Sequence, residues 1–380
     1  MAKKNLNIAL IGYGFMGRAH SNAYNKVGKF FDLEYQPVMK VASARKKDEL
    51  ASFATNWGWE ETETDWRKVI ERKDIDIVDI CAPNNTHLEI AKAAAANGKI
   101  IACEKPLAIN AKEGQQMVQA VLSSKKPSMV WFNYRRVPAI ALAKQLVEEG
   151  RLGKIFHYRA RYLQDWSINP NVPQGGPNNW RLDKNVAGSG VTGDLIAHSV
   201  DLATWMIGPI SSLAATTETF IKEREMFDSP GSKEKVTIDD ACAFLARFKN
   251  GAMATFESTR YARGRKNENY FEINGEKGSV AFNLENAHEL GYYNHSDEGH
   301  VRGWRNIQVW DGDDHPYMGN WWVPGCAIGY EHTFINTLAD FLLGLSQDKK
   351  LCPDFSDAQE TQIVCDAVLK AAEDRKWIDL

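Results

Sequence analysis

Three groups of residues in this chain have the types and spacing for chemistry. The first is Glu104-Lys105-Pro106, after the apolar run Lys99-Ile100-Ile101-Ala102-Cys103. The proline fixes φ and turns the chain out of a strand. That leaves a lysine at the strand's carboxyl end, able to act as an acid/base or to donate to a substrate oxygen. A loop lysine in water is the plain alternative for the tripeptide alone. The second is Gly193-Asp194-Leu195-Ile196-Ala197-His198-Ser199-Val200-Asp201. A helix is expected there, and i, i+4 and i, i+3 spacings then put Asp194, His198 and Asp201 on one face. Carboxylates around an imidazole raise its basicity and orient its ring, which suits removal of a hydroxyl proton. A capping Asp194 with a structural histidine is the plain reading. The third is Phe132-Asn133-Tyr134-Arg135-Arg136-Val137-Pro138, with Trp166 and Trp180-Arg181. Such side chains stack on rings or pack between domains.

These residues need elements to position them, and the amino-terminal turn supplies the first. Leu6-Asn7-Ile8-Ala9-Leu10-Ile11 runs into Gly12-Tyr13-Gly14-Phe15-Met16-Gly17, and a helical stretch follows. Strand, G-x-G-x-x-G and helix in that order form the signature of a dinucleotide-binding βαβ unit. Gly12 permits the tight turn, Gly14 lets the backbone approach a pyrophosphate, and Gly17 lets helix and strand pack closely. The pyrophosphate sits on the helix's amino-terminal N–H groups. Further strands are expected at 38–44, 75–81, 99–103 and 128–132. Helices are expected at 47–57, from 65, at 86–97 and at 110–123. This alternation argues for a parallel doubly wound sheet.

The pattern changes near 150. Short strands at 153–162, 242–248, 252–259, 269–274 and 278–283, joined by tight turns, suggest an antiparallel sheet. Residues 284–330 are loop-rich and aromatic, and 331–345 and 357–372 form closing helices. The expected fold is α/β plus α+β. A Rossmann domain spans 1–130 and an α+β domain with a large open sheet spans 131–380. The closing helices near 331–372 are expected to pack back on the first domain.

Bulk composition excludes several classes. The 380 residues are 44% hydrophobic and 25% charged, with a net charge of −3. That is ordinary for a globular protein and gives no basic field for nucleic acid. No apolar run reaches membrane-spanning or signal-peptide length. Six cysteines without a C-x-x-C pair read as free thiols in a reducing cytoplasm. No metal is expected: Asp311-Gly312-Asp313-Asp314-His315 fits no metal-loop spacing and reads as a solvated loop. Trp304, Trp310, Trp321 and Trp322 could form a sugar-stacking wall or an oligomer contact.

GYGFMG, EKP and D-x-x-x-H-x-x-D, in this order, resemble the glucose–fructose oxidoreductase/inositol dehydrogenase/MocA (Gfo/Idh/MocA) family over essentially the whole chain. Within it, FNYRR, YLQDWS and the following WR are most similar to sugar dehydrogenases. The resemblance implies oxidation of a sugar or cyclitol hydroxyl with NAD(P), by a homodimer or homotetramer joined through the carboxy-terminal sheet. It implies Lys105, Asp194 and His198 as the catalytic set, and leaves open whether Lys105 or His198 accepts the proton. It places Pro83, Asn84 and Glu104 near the nicotinamide, with Trp180 and Arg181 close by. Phe15, Met16 and His87 complete the expected cofactor contacts, and Tyr134, Arg136 and Trp166 join Asp194 and His198 around the substrate. One position departs from the NAD pattern. The acid that binds the ribose 2′-OH is expected at Ala44. Ser43, Arg45 and Lys46 could instead accept a 2′-phosphate, so the reading leans to NADP. Two rivals remain: a glycoside hydrolase or lyase working through transient oxidation, and a non-catalytic dinucleotide-binding sensor.

Overall fold

A computed structural model describes residues 3–380. The chain forms two compact units, 1–136 with 328–359, and 137–327 with 360–380.

The first unit holds β1 (Lys4–Ile11), α1 (Phe15–Phe30), β2 (Tyr35–Ser43), α2 (Lys47–Trp57), β3 (Glu61–Glu63), α3 (Trp66–Ile70), β4 (Ile77–Ile80), α4 (His87–Ala96), β5 (Ile100–Cys103), α5 (Ala111–Ser124) and β6 (Ser128–Val130). The strands pair in the order β3-β2-β1-β4-β5-β6, and every pairing is parallel. All four β4 residues are buried, as befits a strand covered by helices on both faces. The alanine-rich α4 buries Ile90, Ala91, Ala94 and Ala95, small side chains that let helix and sheet approach. Asn110 starts α5 by accepting from the Glu113 N–H, which satisfies one of the end donors a helix leaves open. The strand order reverses about β1, so the carboxyl ends of β1, β4 and β5 share one sheet edge. That is where α/β sheets bind ligands.

The second unit holds α6 (Pro138–Glu148), β7 (Ile155–Leu163), the short α7 (Gly176–Asn179) and α8 (Lys184–Ala187), a π-helical turn (Thr192–Ile196) and α9 (Ala197–Ile207). These are followed by β8 (Ile210–Glu218), β9 (Glu223–Met226), β10 (Ser229–Lys235), β11 (Ala241–Phe248), β12 (Met253–Thr259), β13 (Glu268–Gly275), β14 (Gly278–Asn283), β15 (Glu289–Asn294) and β16 (Arg305–Gln308). The chain then adds α10 (Tyr330–Ser346) to the first unit, runs through α11 (Phe355–Asp374) and ends with β17 (Ile378–Asp379). Nine strands form one sheet, β16-β15-β14-β13-β7-β12-β11-β8-β17. Only β7–β12 is parallel among its pairings. On β11, Phe244, Ala246 and Phe248 are buried while Ala243, Leu245 and Arg247 face out. The inner face is an aromatic layer: Phe244 stacks on Phe256 at 4.3 Å and Tyr158 on Phe271 at 6.1 Å.

Three expectations need correction. Residues 284–330 are not only loop, since β15 and β16 extend the sheet there. β8, β9 and β10 fall where no strand was expected. Asp194 lies in the π turn, so the α-helical spacing that would align it with His198 and Asp201 does not hold across this segment.

Candidate functional site

The glycine turn is built for a close approach. Gly12 has φ +105°, and a Cβ there would lie 2.6 Å from the Cys81 carbonyl oxygen; only glycine fits. A Cβ at Gly17 would lie 2.4 Å from the Gly12 oxygen. Gly14 differs: a Cβ there would meet no protein atom within 4 Å. Gly14 is also the amino-terminal cap of α1 and has no side-chain capping bond. The first N–H groups of α1 therefore border open space, which fits a pyrophosphate. Phe15 is exposed beside the turn, and Met16 is half-buried.

At the end of β2, Ala44 is half-buried and Arg45 and Lys46 are exposed. Lys46 pairs with Glu49 at 2.7 Å. Ser43 is buried in the ladder, which removes its hydroxyl from the residues able to meet a ribose phosphate.

Beside this turn, at the same sheet edge, stands the Glu104–Lys105 turn, two strands from β1, or roughly 10 Å at ordinary strand spacing. Glu104 is buried. Its Oε2 accepts the Lys105 N–H at 3.0 Å, and its Oε1 lies 3.0 Å from His20 Nε2. Lys105 is half-buried. His87 was expected at the cofactor, but it is fully buried. Its Nδ1 faces the Pro106 and Leu107 carbonyls at 3.2 Å, and its Nε2 faces that of Ala82 at 3.0 Å. Burial holds its pKa below the usual histidine value. It is a strut that ties the end of β4 to the Lys105 turn, with no free ring edge for a ligand. Pro83 and Asn84 sit between these points, Asn84 buried. Tyr134 is also buried, edge-on to Tyr330 at 6.3 Å. Arg136 spends its guanidinium on Asp340 at 2.9 Å and on the Cys352 carbonyl at 2.5 Å. Its charge is used inside the fold rather than on a substrate.

The second unit positions Asp194 and His198 by a different device. Asp239 accepts the N–H of Gly190 at 2.7 Å, and the N–H and hydroxyl of Thr192 at 2.8 and 2.7 Å. A Cβ at Gly190 would lie 1.8 Å from the Asp239 carbonyl oxygen, so the chain can pass only as glycine. The π turn begins at once and presents Asp194. Arg260 Nη2 donates to its Oδ2 at 2.7 Å and Arg181 Nε to its Oδ1 at 3.4 Å. Arg260 is fully buried and lies under the exposed Trp166 ring, 5.1 Å from its centroid. Among the described residues nothing accepts from its Nε or Nη1. Arg181 also packs on Trp180 at 4.4 Å, so this pair borders Asp194. Arg224, buried too, holds the loop after Trp166 through the Ser167, Asn169 and Val172 carbonyls. His198 is buried in α9, its ring 5.9 Å from Tyr162.

The family model of the oxidoreductase NAD-binding Rossmann fold matches residues 6–132, and that of the GFO/IDH/MocA carboxy-terminal domain matches 140–281. The chain belongs to the Gfo/Idh/MocA oxidoreductase family. Levoglucosan dehydrogenase of Pseudarthrobacter phenanthrenivorans is 41% identical over 390 aligned positions, covering 99% of this chain and 98% of that protein. A structure of levoglucosan dehydrogenase with NADH and L-sorbose superposes with a TM-score of 0.94 at 42% identity, over 99% of both chains. An oxidoreductase domain protein of Kribbella flavida gives 0.94 at 43% identity, again over 99% of both.

For this Gfo/Idh/MocA member the structure adds residues that sequence reasoning missed. Arg260, Arg224 and His20 are buried charged or ionisable side chains. Arginine in a strand-rich segment reads as a solvated residue, so neither arginine carried a signal. His20 stood in the first helix with no visible partner, because Asp79 and Glu104 are remote in sequence. Asp311 to His315 is an exposed turn closed by the Asp311 N–H on His315 Nδ1 at 2.9 Å. Trp304 and Trp322 are exposed, while Trp310 stacks on His288 at 4.3 Å. Among the described residues no helix is long and apolar enough to cross a membrane.

Proposed function

We propose that this chain oxidises a hydroxyl carbon of a sugar or cyclitol with NAD(P). The observation that supports the reading is the Glu104–Lys105 turn, which stands at the same sheet edge as the open Gly14 cradle. The nicotinamide, when bound, accepts the hydride. Lys105 donates a hydrogen bond to the substrate oxygen and stabilises its developing charge. His198 takes the hydroxyl proton, although Lys105 and His198 could exchange these roles. Asp194, held by Arg260 and Arg181, is the carboxylate assigned to a substrate hydroxyl. Trp166 offers a ring face of the kind that packs on a sugar. The relatives act in the same direction, since the 41% identical protein is named for levoglucosan.

For the cofactor, Ala44 in place of an acid and the exposed Arg45 support NADP. The similar structures hold NADH. Titration with NADPH and NADH decides, and clearly tighter NADH binding refutes the preference. For assembly, the outer face of the nine-stranded sheet exposes Leu245 and Met253 among Arg159, Arg161 and Glu257, a mixed surface suited to a second copy. Light scattering should give a dimer or tetramer, and Leu245→Glu should shift it toward monomer. A reducing compartment such as the cytoplasm suits six free cysteines.

The functional test is a panel of sugars and cyclitols, levoglucosan and inositol among them, followed at the reduced-nicotinamide absorbance. Turnover supports the reading. Tight cofactor binding without turnover favours a sensor, and bond cleavage without net NADH favours transient oxidation.

A further inference from the structure

We infer that His20 is a buried imidazolium that positions Lys105, by bridging the helix of the nucleotide turn to the Glu104 carboxylate. This rests on the role proposed for Lys105.

His20 lies in α1 and is fully buried. Its Nδ1 is 2.9 Å from Asp79 Oδ2 and 3.0 Å from Cys81 Sγ, and its Nε2 is 3.0 Å from Glu104 Oε1. A neutral imidazole has one N–H, and an imidazolium has two. Two carboxylates at opposite ring nitrogens therefore call for the cation. Among the described residues Asp79 has no other charged partner: it accepts from Trp131 Nε1 at 2.9 Å and the Tyr24 hydroxyl at 2.9 Å. Trp131 and Phe334 flank the ring at 4.0 and 5.5 Å. The titratable groups facing it are Asp79 in β4, Cys81 after β4, Glu104 after β5, and Tyr24 on α1. The thiols of Cys81 and Cys103 and the Tyr24 phenol are pushed up by burial and stay neutral. Burial pushes His20 down as well, but Asp79 and then Glu104 outweigh it, holding its pKa at about 9.

The connection to Lys105 is direct. Glu104 has two oxygens; His20 takes one, and the Lys105 N–H takes the other. The path Asp79–His20–Glu104–Lys105 thus crosses β4, α1 and the end of β5 by hydrogen bonds at every step. His20, Asp79 and Cys81 also offer metal-ligating atoms within 4.8 Å of one another. Asp79 is engaged by Trp131 and Tyr24, His20 by Glu104, and the Cys81 thiol lies on His20 Nδ1 at 3.0 Å, so the cluster is accounted for as a hydrogen-bonded network around an ion pair.

The test begins on the full-length protein without cofactor. Nitrogen-15 NMR of the histidines should show His20 with both ring nitrogens protonated at pH 7.5. A single neutral tautomer overturns the proposal. Acetylation of Lys105 by acetic anhydride, read by peptide mass spectrometry, should change at least threefold in His20→Gln. If that variant does not fold, Asp79→Asn weakens the imidazolium with less change of shape and should move the same readout. An unchanged rate in the folded variant overturns the proposal. With levoglucosan and NAD⁺ as probe, His20→Gln should lower kcat about tenfold with NADH affinity within threefold. It should add nothing in a Lys105→Ala background. Additive losses overturn the positioning role. Near-normal turnover of Lys105→Ala alone overturns the proposed role of Lys105, while leaving the NMR and acetylation results standing.

Discussion

Replacing Arg260 by methionine should separate activity from stability. Arg260 donates to Asp194 Oδ2 at 2.7 Å from a fully buried position, whereas the remaining partner, Arg181, lies at 3.4 Å. A hydrogen bond to a charged group is worth about 1.5–3 kcal/mol. If that bond holds Asp194 in the geometry the transition state needs, its loss lowers kcat/KM about ten- to hundredfold, at roughly 1.4 kcal/mol per decade. Stability should respond differently. Arg260 carries two buried donors without an acceptor, and each such donor costs about 1–3 kcal/mol. Removing them offsets the broken ion pair, and methionine keeps a stem to pack under Trp166. Tm should therefore stay within about 3 °C, or roughly 1–2 kcal/mol for a chain of this size. Steady-state kinetics and thermal unfolding on the same preparation read both quantities. A kcat/KM within threefold of wild type refutes the reasoning, as does a large fall in Tm that accounts for the lost activity.

Other outcomes follow from the same geometry. Gly12→Ala must carry φ +105° with its Cβ against the Cys81 carbonyl and should lose about 3 kcal/mol or more in urea unfolding. Gly14→Ala meets no protein atom and should keep its stability while NADH binding by fluorescence weakens at least tenfold. Ala44→Asp should favour NADH over NADPH by at least tenfold more than wild type, because a carboxylate accepts from the 2′-hydroxyl and repels a 2′-phosphate. His20 gives a pH signature. Its pKa rises from the ordinary 6.5 to about 9 in the fold, so its contribution is full below 6.5 and is lost as pH rises through 9. That amounts to about 3 kcal/mol between pH 6 and pH 10, read as the stability difference between wild type and His20→Gln. A difference that does not shrink with rising pH contradicts the imidazolium.

Much of the first unit is legible in the sequence, because its strands are short apolar runs and its turns are marked by glycine and proline. β5 is apolar throughout, β4 is apolar but for Asp79, and the alanines of α4 announce a helix packed on a sheet. The second unit is legible only where side chains alternate, as on β11 and β12. β8 is rich in serine, alanine and threonine, and β10 is exposed throughout, so neither shows a hydrophobic period. The π turn has no composition of its own; it follows from Asp239, which is far from it in sequence. Lys105, Asp194 and His198 stand out in the sequence as candidates by residue type, while the helical spacing read for Asp194 fails at the π turn. Arg260, Arg224 and the partners of His20 could not, since burial of a charge is decided by tertiary neighbours. His87 and Arg136 show the reverse error, in which a functional residue type proves to be a strut.

In the proposed reaction Lys105 and His198 carry the proton chemistry of a dehydrogenase. The direct measurement is turnover of Lys105→Ala and His198→Ala on the most active sugar or cyclitol of the panel, with NADH affinity measured alongside. Turnover at least a hundredfold below wild type in both, with cofactor affinity within threefold, is the predicted result. Near-normal turnover in both removes Lys105 and His198 from the proton chemistry.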